Sequence, residues 1–336
     1  MMYESPFHPG NLGKYSFLVT GGAGFVGSHI VEYLLKHGAG KVTAMDNLST
    51  GSIDNVRIFE NNAAYRFLKS DICDAAACLE AAKGKDFIFH QAALGSVPRS
   101  IKDPLATNDS NVNGFLNILT AARECRVKRV VYASSSSVFG DSPVLPKTED
   151  HLGNPLSPYA VTKRTNELYA QVFSQVYRME IIGLRYFNIY GPRQNPEGPY
   201  AAAIPLFMKA LLDNEKPFIN GDGEQSRDFT FVENAVQANI RAIFASHEGI
   251  SGQVFNVAVG ERITVNELYH YLKSIAGSDL EPVYRSDREG DVRHSLADIS
   301  KARNILGYEP AIRVEEGLSI TWAWFAKQHQ KNNPSH

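Results

Sequence analysis

The chain has 336 residues, 43% of them hydrophobic and 21% charged, with a net charge of −2. That length suits one large domain or two closely joined ones with a sizeable core. The balance offers no basic excess for nucleic acid and no acidic run for a disordered tail, and the longest apolar runs are far short of a membrane span. The N-terminal residues lack the apolar core of a signal peptide, so a cytoplasmic location is expected. Cys73, Cys78 and Cys125 form no CxxC pair and read as free thiols; no metal site is expected.

After a short polar lead, strand-like runs cover Phe17 to Thr20, Lys41 to Met45, Tyr65 to Leu68, Phe87 to His90, Val130 to Ser134 and Ile181 to Tyr186. Helix-like runs lie between them at Val26 to His37, Ala75 to Lys83, Asn108 to Cys125 and Pro158 to Tyr177. Strands alternating with helices imply a parallel sheet covered on both faces, and right-handed crossovers make it a doubly wound α/β fold. Ligands then sit at the carboxyl ends of the strands. Past Tyr190 come the loop signals Gly191-Pro192-Arg193 and Asn195 to Pro199. Further helices are expected at Ile204 to Leu212, Asn234 to Ala245, Val265 to Ile275, Ser300 to Leu306 and around both tryptophans. Phe229 to Val232 and Val254 to Val257 read as strands. The expected division is 1–190 plus about 229–260 for the doubly wound domain. About 191–228 and 261–336 form a smaller C-terminal α/β substrate domain closing over the strand ends.

The first strand runs into a glycine cluster, Gly21-x-x-Gly24-x-x-Gly27, and then a helix. Glycines let the backbone approach a ligand, and the free N–H groups of a first helical turn attract phosphate. Asp46 follows the second strand, where a carboxylate accepts from adenosine ribose hydroxyls. Together these predict a dinucleotide site. Asp46 would repel a 2′-phosphate, which favours NAD over NADP.

The strand at Val130 ends in Ser134 to Ser137, and Tyr159 and Lys163 follow, four residues apart. On a helix that spacing stacks the two side chains on one face. A neighbouring ammonium favours phenolate and is expected to lower the pKa of Tyr159 from about 10. Tyr159 then exchanges a proton with a sugar hydroxyl held by a serine. The same Tyr-x-x-x-Lys spacing recurs at Tyr65–Lys69 and Tyr269–Lys273. The first lies on a strand, where four residues span about 13 Å. The second has no serine-ended strand leading into it.

Gly21, Gly24, Gly27, Asp46, Ser135, Tyr159 and Lys163 together resemble the extended short-chain dehydrogenase/reductases, over nearly the whole chain. More narrowly, HQAALGSVPRS, SPYAVTK, LRYFNIYGPRQ, INGDGEQSRDF and REGDVRHSLAD resemble the UDP-N-acetylglucosamine and N-acetylglucosaminuronate 4-epimerases of bacterial surface polysaccharide pathways. The resemblance implies a Rossmann domain, NAD as cofactor, a UDP-sugar substrate, C4 epimerisation through a transient 4-keto sugar, and a homodimer. Ser135, Tyr159 and Lys163 would be catalytic. Phe25 and Val26 would join the glycines at the cofactor, with Asn47 beside Asp46. Asp71 and Ile72 would contact adenine, and Gln91, Ala92 and Ala93 would line the pyrophosphate and ribose path. Tyr186 would lie near the nicotinamide.

On the substrate side, Asn188, Arg227 and Arg288 would bind the diphosphate and Asp291 the uridine ribose. Gln225 and the segment from Ala202 and Ala203 to Pro205 are candidates for the uracil pocket. Ser295 occupies a position where related epimerases restricted to non-acetylated sugars carry a bulky aromatic. Gly95, Ser96, Ser136 and Ser137 would line the same space. Arg99 faces either a C6 carboxylate or solvent. Related 4,6-dehydratases carry an acidic pair just after the strand-end serine, where this chain has Ser136 and Ser137. Decarboxylases of the family carry a glutamate shortly after that serine, which Val138 and Phe139 do not supply. A reductase, an epimerase acting mainly on UDP-glucose, or a catalytically silent NAD-binding protein are the remaining alternatives.

Overall fold

The computed structural model describes residues 2–197, 201–286 and 293–332. Its centre is a seven-stranded sheet: β1 (Ser16–Thr20), β2 (Lys41–Asp46), β3 (Tyr65–Lys69), β4 (Phe87–His90), β5 (Arg129–Ser135), β6 (Ile181–Tyr186) and β7 (Val254–Val257). The order is β7-β6-β5-β4-β1-β2-β3, and every pairing is parallel. The order reverses at the β1–β4 neighbours, and ligands of doubly wound sheets bind in the crevice beyond such a reversal. Phe17, Leu18 and Val19 are fully buried, as a sheet covered on both faces requires.

The covering helices are α1 (Phe25–Lys36), α2 (Ala75–Ala82), α3 (Gly114–Glu124) and α4 (Pro158–Tyr177). The later ones are α5 (Ala203–Leu212), α6 (Val232–Phe244), α7 (Val265–Ala276), α8 (Ser300–Leu306) and α9 (Val314–Asn332). One face of the sheet packs on α1 and α6 through Ile30, Val31, Leu34, Val236 and Ile240. The other packs on α2, α3 and α4 through Cys78, Phe115, Ile118 and Ala170. A third apolar cluster joins Tyr190, Phe207, Phe231, Leu268 and Leu318, which draws α5, α7 and α9 together.

Three expectations change. The helix expected from Asn108 to Cys125 is broken by a π-helical turn at Asp109–Asn113, and regular α-helix resumes only at Gly114. The side chain of Asn111 explains the widened turn. It accepts from Leu94 N–H at 2.8 Å and donates to Thr162 Oγ1 at 3.1 Å. The strand expected at Phe229 to Val232 shrinks to Thr230–Phe231, paired with Ile189–Tyr190, because helix α6 already begins at Val232. The N-terminal lead is not a loose polar tail: Tyr3, Phe7 and Leu12 are buried in the α1/α6 layer. Two short pairings, Phe218–Asn220 with Val283–Arg285 and Ser226–Arg227 with Ile263–Thr264, are too brief to show a period in the sequence.

Candidate active site

Gly21 lies at φ +66°, and a Cβ on Gly27 would stand 2.1 Å from the Gly21 carbonyl oxygen. Only glycines let strand β1 turn this sharply into α1. The N-cap of α1 is Gly24, which has no side chain to satisfy the first N–H groups. Those donors point into a cleft of about 830 Å³ at the carboxyl ends of the strands. At the end of β2, Asp46 accepts from Ala23 N–H at 3.0 Å and Leu48 N–H at 2.8 Å, which fixes its carboxylate at the cleft wall. An uncapped helix start, a cradle that excludes any Cβ and an oriented acid fit a dinucleotide. Gly21, Gly24, Phe25, Val26, Gly27, Asp46, Asn47 and Ile72 line that end of the cleft. Asp71 lies beside it, accepting from Asn47 Nδ2 at 2.7 Å.

The chemistry-bearing residues meet further along the same cleft. Ser135 closes β5, while Tyr159 and Lys163 occupy the first turns of α4, whose N-terminus is capped by Ser157 Oγ at 3.2 Å from Ala160 N. All three line the cleft. Lys163 Nζ lies 5.9 Å from the centre of the Tyr159 ring and donates to Ala133 O at 2.8 Å. The expected depression of the phenol is not seen. Burial pushes Tyr159 above its ordinary pKa, and hydrogen bonding to Ser135 opposes this only in part. Lys163 is itself pushed down to about 8 by burial, against the favourable field of Glu167. Its ammonium donates to a carbonyl, and desolvation of the phenol outweighs the opposing hydrogen bond from Ser135.

Behind this pair lies a buried ionic clamp that the sequence reading did not include. Arg185 in β6 forks onto Glu167 of α4 at 2.8 and 2.9 Å, and Ser134 Oγ donates to the same carboxylate at 2.6 Å. Arg185 also donates to Glu149 O at 2.8 Å. Three elements, β5, β6 and α4, are thereby held in one register beneath Ser135 and Tyr159.

A second group adds one residue the sequence reading did not name, Asn239, to two that it did, Gln91 and Tyr186. Tyr186 O–H donates to Gln91 Oε1 at 2.9 Å, Gln91 Nε2 donates to Asn239 Oδ1 at 3.1 Å, and Asn239 Nδ2 donates to Tyr186 at 2.7 Å. This closed ring fixes both cleft-lining side chains, Gln91 and Tyr186, and keeps the Tyr186 proton on Gln91. Burial also raises the Tyr186 pKa well beyond its ordinary value. The sequence signal was an asparagine in the middle of the apolar α6, where a buried amide needs partners.

The substrate candidates divide by place. Gly95, Ser96, Ser136, Asn188 and Ala202 line the large cleft, as do the cofactor candidates Ala92 and Ala93. Asn188, Ala202, Ala203, Gln225 and Arg227 line an adjoining cavity of about 300 Å³, so the two spaces share walls. Asn188 is steered by donating from Nδ2 to Asp228 O at 2.9 Å, and Gln225 by donating to Asn220 O at 2.7 Å. Arg227 donates to Ser226 O and Arg293 O at 2.9 and 3.1 Å. Ser137 and Ser295 line neither space. The Ser137 Oγ is turned into the protein by the turn after β5, and Ser295 is pinned through its N–H to Ser226 O at 3.0 Å. Arg99 stands at the cleft wall near Ser96. Arg288 and Asp291 lie outside the described residues.

This geometry has counterparts of known structure. A UDP-N-acetylglucosamine 4-epimerase from Methanobrevibacter ruminantium M1, solved with UDP-N-acetylmuramic acid, superposes with a TM-score of 0.89 at 41% identity, covering 94% of this chain and 99% of that one. A dTDP-glucose 4,6-dehydratase from Streptomyces venezuelae, solved with NAD, gives 0.87 at 31% identity, covering 94% and 98%. A UDP-glucose 4-epimerase from Mycolicibacterium smegmatis is 38% identical over 315 residues, 93% of this chain and 99% of its own length. The model of the NAD dependent epimerase/dehydratase family matches residues 17–258, from the first sheet strand to the end of the last. With that match spanning more than half of the sequence, and the glycine cradle shaped for the family's NAD, the chain belongs to the NAD dependent epimerase/dehydratase family.

Proposed function

We propose that the enzyme inverts C4 of a UDP-N-acetylhexosamine, interconverting UDP-GlcNAc and UDP-GalNAc, with the corresponding uronates as further substrates. The observation that carries this reading is the junction of the two cavities: Ser135, Tyr159 and Lys163 open onto a space bounded by Gly95, Ser96 and Ser136, and that space runs into the Gln225/Arg227 pocket. Small residues beside the reacting groups leave room for an acetamido sugar. Ser136 where a dehydratase needs an acid argues for epimerisation over elimination.

NAD, when bound, would supply a reversible hydride acceptor for C4 of the sugar. Gly21, the α1 N-terminus and Asp46 would hold its phosphates and ribose. Tyr159 shuttles the proton of the C4 hydroxyl, and Ser135 holds that oxygen by a hydrogen bond. Lys163 keeps the phenol oriented from the Ala133 side. Arg227 and Asn188 grip the diphosphate; Arg288 is proposed to complete that grip and Asp291 to accept from the uridine ribose. A firm hold on the nucleotide keeps the sugar in place while loose contacts let it turn and present its other face.

We also propose a homodimer built on α4. Val161, Leu168, Val172 and Val176 form an exposed apolar stripe on that helix, flanked by Ile101 and Leu105. Three free thiols and no described helix long and apolar enough to cross a membrane support a reducing, cytoplasmic setting. The decisive test incubates the enzyme, without added NAD, with UDP-GlcNAc, UDP-GlcNAcA and UDP-glucose and separates the epimers. Conversion of an acetamido substrate faster than UDP-glucose is expected. Preference for UDP-glucose overturns the sugar assignment, and a dehydrated product overturns the reaction.

A further inference from the structure

His29 lies on α1 one turn beyond the cleft-lining Phe25 and is 1% exposed. Both of its ring nitrogens have partners. Nε2 is 2.9 Å from Pro192 O, and Nδ1 is 2.8 Å from the Tyr3 hydroxyl. A carbonyl only accepts, so Nε2 carries the proton and Nδ1 accepts from Tyr3 O–H. Burial, and then the Arg193 guanidinium, keep the ring neutral, which suits this arrangement. On the same side of α1, Ser28 Oγ accepts from Arg193 at 3.3 Å and Glu32 pairs with Arg193.

The gripped turn opens the loop 191–197. Gln194, Asn195 and Glu197 of that loop line the large cleft, and Gln194 also lines the smaller cavity. Arg193 sits at φ +67°, a backbone region unfavourable for a residue with a Cβ, so its turn needs an outside hold. At the other end of the chain of contacts, Tyr3 is fully buried. Its N–H donates to Glu233 of α6 at 3.2 Å, and Lys36 donates to Met2 O at 2.8 Å. The first residues therefore form a strap across α1 and α6 that ends on His29.

We propose that His29, set by Tyr3 of this strap, is a positioning residue that fixes the 191–197 loop to the cofactor helix and so shapes the nucleotide-sugar cavity. The inference rests on the reading of the smaller cavity as the UDP end. One helix, α1, then serves two ligands: its N-terminus faces the dinucleotide, and its side holds a wall of the substrate pocket.

The test is UDP binding by titration calorimetry on the purified enzyme, with NAD content measured alongside. His29→Gln keeps one donor and one acceptor and is expected to bind UDP within about twofold of wild type. His29→Leu removes both and is expected to weaken UDP about tenfold, and Tyr3→Phe about threefold, with NAD content unchanged. Wild-type affinity in His29→Leu, or in Tyr3→Phe should the leucine variant not fold, overturns the inference alone, as does parallel loss of NAD. Absence of UDP binding to the wild-type enzyme overturns the reading of the cavity and this inference with it.

Discussion

Burial acts in opposite directions on the two groups that move and steer the proton. It raises the Tyr159 phenol and lowers the Lys163 ammonium to about 8. Tyr159→Phe keeps the ring and loses the shuttle. Turnover should fall by at least about 10²-fold while NAD per subunit, read by absorbance after denaturation, stays constant. Near-normal turnover would remove Tyr159 from the mechanism. For Lys163 the unfolded chain, with a pKa of about 10.4, binds the proton more tightly than the folded one. Between about pH 8 and 10 this lysine therefore adds stability as pH rises, while activity that needs its ammonium declines. The melting temperature of wild type relative to Lys163→Met should rise across that window as the wild-type rate falls. Parallel curves would show that burial leaves the lysine unperturbed. The pairing of Tyr159 with Lys163 was legible from spacing alone. The direction of the phenol shift was not, because it depends on how completely β5 and α4 close over the ring.

At the scale of elements, the seven strands of the main sheet and the starts of most helices were legible in the sequence. β-branched runs, helical spacing of apolar residues and the glycine turn are local signals. What joins those elements was not, because the partners are far apart in the chain: Gln91 and Asn239 are separated by 148 residues. Gly27→Ala should give protein that purifies without NAD, since the new methyl group falls on the Gly21 carbonyl. NAD retained at the wild-type level would mean that the turn relaxes. The Arg185–Glu167 clamp makes a different prediction. Arg185→Met strands a buried carboxylate and should cost about 3–5 kcal/mol, read by denaturant unfolding. Adding Glu167→Met should recover much of that loss, because the pair's desolvation is then removed together with its attraction. Additive losses would show that each residue acts through packing.

For the molecule as a whole, the two cores of the sheet faces and the third cluster under α5, α7 and α9 account for where the clefts fall. The proposed dimer would use the exposed stripe on α4. Leu168→Glu places a charge within it and should shift sedimentation from dimer to monomer with little change in the fold by circular dichroism. A wild-type monomer would end the dimer proposal. The widened helical turn at Asp109–Asn113 bears on how this chain can change over time. Removing one residue there would restore a regular spiral and leave the flanking segments in nearly the same rotation, but it would re-aim the side chains of the widened turn itself. The Asn111 amide would then no longer face both Leu94, at the cleft, and Thr162, between Tyr159 and Lys163. Insertions and deletions are therefore tolerable in the outer loops but not in this stretch, whose length is tied to the placement of the reacting groups.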